Sequence, residues 1–195
     1  LNTAPTEAVT FINRMLDHAA RCRVEKGERY RDEPPGGEIS EGIDLEIPQI
    51  GARHYVGDSH VWSWYRASSV GPYPCMSALL ALERFADYLL ETVGLPARTI
   101  VEFLLRDCHN LAVPGLIVGF LTRHPEHTGD LLDPFLADPE IWQLETSRVV
   151  SGYFTVRDPD ADKLTGLEYR SHTPHHTVAE MVLRARTRGD DKRLA

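Results

Sequence analysis

The sequence predicts a mainly α fold: short helical hairpins in series, the pattern of a HEAT-like α-solenoid segment, with a small β-hairpin or extended excursion around residues 43–65. Three observations predict it. Apolar residues recur at spacings of three and four through most of the chain. Prolines and glycines cut these runs into lengths of one to two dozen residues. Strands do not alternate with helices, as a parallel sheet would require. No internal repeat recurs at a fixed period, although repeats define a regular solenoid.

The first helix is expected over about 6–26, where Val9, Ile12, Leu16 and Ala19 form a stripe; Pro5 suits its start and Gly27 its end. Pro34-Pro35 and Gly36-Gly37 make residues 28–42 a loop. Ile43, Leu45 and Ile47 then alternate with Asp44 and Glu46, which is strand periodicity, and Val61, Trp62, Trp64 and Tyr65 read as a second β-favouring stretch. The clearest helix begins after Pro72 and Pro74 and runs to about 93, with Leu79, Leu82, Ala86, Leu89 and Val93 on one face and Leu80, Phe85 and Leu90 widening it. Gly94 and Pro96 stop it. Shorter helices are expected over 97–107, from Asn110 to His124-Pro125, over 128–137, over 139–150 and from Thr173-Pro174 onward, where Thr177 and Glu180 stand at capping-box spacing.

The organisation expected is one mainly helical segment over 1–195: a helix over 1–30, an excursion over 43–70, a helical array over 74–150 and a terminal helix over 174–187. Helix signals begin at once after Leu1, and the chain ends in the charged run Arg188-Gly189-Asp190-Asp191-Lys192-Arg193. Both ends therefore read as cuts through a larger multidomain protein.

Composition narrows the function. With 29 acidic and 21 basic residues the formal net charge is −8, a poor general attractor of nucleic-acid phosphates. Arg184, Arg186, Arg188, Lys192 and Arg193 cluster near the end, where cations suit a helix C-terminus and a solvated tail. Cys22, Cys75 and Cys108 contain no CxxC pair and read as reduced, mostly buried thiols of a cytoplasmic protein. The longest strongly apolar stretch, 111–121, is about half the length a membrane span needs, so no membrane is expected.

The chemistry-bearing motifs are mostly absent. The chain holds no GxxxxGK[ST], GxGxxG, HExxH or GxSxG. Asp158, Asp160 and Asp162 imitate the start of a calcium loop, but Lys163 stands where its glycine belongs and Tyr169 where its bidentate glutamate belongs. His172, His175 and His176 form the one metal-like cluster, with no fourth ligand at useful spacing. Cys108-His109 and Cys75-Met76-Ser77 lack any sign of a converging base. No catalytic, cofactor or metal residue is therefore assigned. The aromatic group Trp62, Trp64, Tyr65 and Tyr73, with Arg66, has the composition of a partner-contact surface; the other reading is that it clamps the excursion onto the helices.

Trp64-Tyr65-Arg66 followed by Gly71-Pro72-Tyr73-Pro74-Cys75-Met76-Ser77-Ala78-Leu79-Leu80-Ala81-Leu82-Glu83-Arg84-Phe85, with His124-Pro125-Glu126 downstream, resembles the helical C-terminal, repeat-like region of large bacterial STAND-type ATP-binding proteins. These are signal-transduction ATPases of many domains, some acting in antiphage defence. The resemblance covers about residues 60–140. It implies a non-catalytic scaffold or sensor module that binds a protein partner or other domains of its own chain, with the ATPase chemistry in a P-loop domain elsewhere. It carries over no catalytic residue. Two other expectations stand beside it: a small metal-dependent hydrolase using His172, His175 and His176, and a purely structural spacer.

Overall fold

The computed structural model describes residues 4–27, 41–48, 50–66, 71–152 and 174–188. They form a mainly helical domain with one two-stranded antiparallel hairpin. Helix α1 (Pro5–Gly27) buries Val9, Asn13, Leu16 and Ala20, at the spacing of a single helical face. Strands β1 (Gly42–Ile47) and β2 (Gly51–Val56) pair in register from Gly42 opposite Val56 to Ile47 opposite Gly51. Ile43, Leu45 and Ile47 point inward while Asp44 and Glu46 do not, so the alternation in β1 matches the expectation. Gly51, at φ 87°, supplies the left-handed backbone with which the hairpin re-enters its second strand.

The second strand is not where composition placed it. Val61–Tyr65, the expected β stretch, lies in helix α2 (Ser59–Ser63) and the 3₁₀ turn Trp64–Arg66. The reason is local. Asp58 Oδ1 accepts hydrogen bonds from the backbone N–H groups of His60 and Val61, both at 3.0 Å, and so caps a helix start that overrides the β preference of Val and Trp.

Helices α3 (Tyr73–Glu91), α4 (Ala97–Leu105) and α5 (Ala112–Arg123) follow close to their expected bounds. Asn110 Oδ1 accepts from Val113 N–H at 3.2 Å at the mouth of α5. The run 128–137, expected to be one helix, is mostly turns and keeps only α6 (Asp133–Leu136), because Pro134 can be accommodated only in a first turn. Helices α7 (Pro139–Gly152) and α8 (Pro174–Arg188) complete the described chain.

Helix α5 is the centre. Every residue from Ala112 to Arg123 is buried, and α2, α3, α4 and the 3₁₀ turn pack on it. Its two glycines admit the neighbouring aromatics. A Cβ on Gly115 would stand 2.5 Å from the backbone oxygen of Trp62, and one on Gly119 would stand 2.7 Å from Cε2 of Tyr65. The hairpin is tied to the α4–α5 connection. Val56 N–H donates to His109 O at 2.8 Å, and Leu111 N–H donates to Val56 O at 3.0 Å. Arg53 Nη1 donates to the carbonyls of Leu105, Arg106 and Cys108 and so closes the C-terminal end of α4. Cys75 and Cys108 are buried as expected, Cys108 just beyond α4 rather than on it, whereas Cys22 is partly exposed. Among the described residues no helix is long and apolar enough to cross a membrane.

Candidate functional site

Three of the five expected contact residues are interior. Trp62, Trp64 and Tyr65 are at most 1% exposed, so in this conformation they offer a partner no surface. They are core because α2 and the 3₁₀ turn lie against the glycine face of α5. Tyr73 is 80% exposed at the first turn of α3. The side chain of Arg66 lies outside the described ones.

The interior holds charge as well as aromatic rings. Trp62 Nε1 donates to Glu145 Oε1 at 2.7 Å. Arg148, one turn on in α7, donates from Nε to Oε1 at 2.8 Å and from Nη2 to Oε2 at 2.7 Å, a bidentate pair. Burial opposes the Arg148 charge, but the neighbouring Tyr65 and Glu145 outweigh it and hold the guanidinium above its ordinary range. The pair thus joins α7 to α2.

A second cluster joins α3 to the end of α5. Arg123 Nη1 and Nη2 each donate to Asp87 at 2.9 Å, and Nη2 also lies 3.3 Å from Glu83 Oε1. His124 Nε2 stands 2.9 Å from Asp87 Oδ1, with Nδ1 3.9 Å from Glu91. Burial raises the Asp87 pKa, yet the hydrogen bonds from His124 and Arg123 prevail and leave its carboxyl below the usual carboxylate value. Thr128 fixes the turn after His124 by donating to the carbonyls of Leu121 and His124.

Two further carboxylates, buried Asp58 and partly buried Asp17, are structural in the same way. Asp58 takes Arg23 Nε at 3.1 Å on its second oxygen, with His60 Nδ1 at 3.7 Å. Burial and then Arg23 lower the His60 pKa, outweighing Asp58. Asp17 accepts from the backbone N–H of His109 and from Asn110 Nδ2, which pins the loop before α5 to α1.

What this arrangement can do chemically is hold helices in register. Each carboxylate of these clusters already faces a guanidinium, an imidazole or backbone amides. The signal for the α3 cluster was present in the sequence: Glu83 and Asp87 stand four apart on the same face as Leu79, Ala86 and Leu90, so two acids sit within an apolar stripe. Their partner, Arg123, closes the most apolar run of the chain. The partnership between Glu145 and Trp62, 83 positions apart, has no such local signal.

The expected histidine cluster is only partly in view. His172 lies outside the described residues and the side chain of His175 outside the described ones; His176 is exposed in the first turn of α8. The acidic run Asp158, Asp160 and Asp162 also lies outside the described residues. Among the described residues no three His, Cys, Asp or Glu side chains converge as metal ligands. Compared with known proteins, the chain matches no family model, and no curated protein matches it at a significant level.

Proposed function

We propose that this chain is a non-catalytic helical scaffold or sensor module, one stretch of a HEAT-like array in a larger cytoplasmic NTPase-like protein, which binds a protein partner or relays a signal. One observation carries the reading: among the described residues, the buried carboxylates Asp58, Glu83, Asp87 and Glu145 each face a cationic side chain. His124 and Arg123 are engaged with Asp87, Arg148 with Glu145, and Arg23 with Asp58. A general base or nucleophile must instead reach a substrate. Buried charge pairs add little net stability and are better suited to fixing which helix faces meet, as a module transmitting displacement requires.

The coding frame upstream of Leu1 tests the proposal. A P-loop in the same frame supports an arm of an ATPase, and a start codon immediately before Leu1 overturns it. Tyr73→Ala tests the partner surface better than changes at Trp62 or Trp64, because Tyr73 is exposed and its loss leaves the core intact. The metal-dependent hydrolase stays a second reading on the strength of exposed His176 beside His175. Stoichiometric zinc that is lost on changing both histidines to alanine would favour it; zinc-free protein would end it.

A further inference from the structure

Helix α3 leaves one face uncovered. Tyr73 and Tyr88, 80% and 44% exposed, are two of the large hydrophobic side chains that stand in solvent among the described residues, and both lie on this face. Between them Ser77 and Ala81 are exposed, and Leu80 and Arg84 partly so. At 3.6 residues per turn these six occupy an arc roughly 100° wide. The outward face of a helix is ordinarily the charged one, yet from Tyr73 to Leu82 α3 carries no charged side chain. The face is also symmetric about the point between Leu80 and Ala81. Ser77 and Arg84 stand three residues out on either side of it, and Tyr73 and Tyr88 seven.

We propose that this face pairs with the same face of a second copy of the chain, antiparallel, about a two-fold axis between Leu80 and Ala81. A two-fold contact is reciprocal: where one residue meets another, the second meets the first across the axis. Here each Tyr73 lies against the other copy's Tyr88, an aromatic pair made twice. Ser77 stands opposite Arg84, so the two guanidinium groups do not face each other, as they would in a parallel pair in register. Ala81 at the crossing point lets the helix axes approach to about 8 Å, the near end of the usual range. The contact runs along about 23 Å of helix. With one helix from each copy it is smaller than a standard interface, so the dimer is weak and transient. The pairing does not rest on the array reading, because it needs only α3.

Sedimentation equilibrium of the full chain at concentrations up to about 1 mM tests the proposal. The expected result is a monomer–dimer equilibrium that tightens as salt rises, because the contact is mostly uncharged while each copy carries a net charge of −8. Tyr73→Ala removes both aromatic pairs and weakens the dimer about tenfold, with the melting temperature of the dilute monomer unchanged. Ala81→Cys, in a Cys22→Ser background, places two thiols beside the axis within reach of a disulfide. Under mild oxidation it gives covalent dimer several times faster than Thr99→Cys, which is exposed on α4; this comparison decides if Tyr73→Ala fails to fold. Equal cross-linking at Ala81→Cys and Thr99→Cys, or a dimer that folded Tyr73→Ala leaves as tight, overturns the proposal. A chain that stays monomeric throughout also overturns it, and leaves the face to a helix of another protein or of another domain.

Discussion

Replacing Gly115 with alanine separates two opposed effects of known size. In a helix interior alanine is favoured over glycine by about 0.8–1.0 kcal/mol, so secondary structure alone predicts that Gly115→Ala stabilises the protein. The packing predicts the reverse. The new Cβ would stand 2.5 Å from the backbone oxygen of Trp62 and 3.2 Å from its Cδ2. Overpacking a core costs about 1–3 kcal/mol, and the upper end applies because the obstructing atom is main chain in a buried segment. Relief would require α2 to move off α5, with Trp62 drawn away from Glu145. The difference is a net loss of about 2 kcal/mol. In a domain of this size that is a fall in Tm of about 4–8 °C. Denaturant unfolding checks it: the midpoint drops while the slope stays constant, as for a change in stability alone. Ser77→Ala, at an exposed position of α3, is the control and stays within about 0.5 kcal/mol of the parent. If Gly115→Ala unfolds at higher denaturant than the parent, α2 does not lie on α5 as described.

Asp87→Asn removes the centre of the α3–α5 cluster, and a loss of about 3–5 kcal/mol at neutral pH is expected from denaturant unfolding. Because the native Asp87 carboxyl is held below its unfolded value of about 4, its contribution is complete above that pH and is lost as pH falls through the native value; the gap between parent and variant therefore closes in acid. Glu145→Gln keeps an acceptor for Trp62 but leaves the Arg148 charge buried without its carboxylate, costing about 3 kcal/mol by the same assay. Of the three thiols, partly exposed Cys22 reacts rapidly with an aromatic disulfide reagent in the native state. Cys75 and Cys108, buried and with their thiol pKa values raised by burial, react only on unfolding; three rapid thiols would contradict the placement of both.

Elements governed by local rules are legible in the sequence. The stripe of α3 through Leu79, Leu82 and Ala86, its stop before Gly94, the inward alternation of Ile43, Leu45 and Ile47, and the end of α5 at His124 all follow from periodicity and from glycine and proline, whereas Val93, expected on that stripe, lies past the end of α3 and is exposed. The excursion misled for a physical reason. Trp and Val favour strands only because they pack well on a pleated surface; here the packing partner is a glycine face of a helix 50 residues further on, and the Asp58 cap decides the backbone. Gly51–Val56 carries no strand signal in the sequence because Gly51, Ala52 and His54 are exposed and little alternation marks the run. Of the two readings of the aromatic group, the clamp onto the helices holds for Trp62, Trp64 and Tyr65; what composition does not show is that their burial depends on Gly115 and Gly119.

The dependence of the aromatic turn on α5 has a consequence during synthesis. A ribosome makes Gly119 57 residues after Trp62, and at about 5–20 residues per second that is roughly 3–11 s. Through that interval two tryptophans and a tyrosine emerge with no glycine face to receive them, and exposed surface of this kind is what aggregation and chaperones recognise. A nascent chain stalled before α5 would therefore carry an adhesive aromatic segment, whereas one released after Arg123 could already bury it.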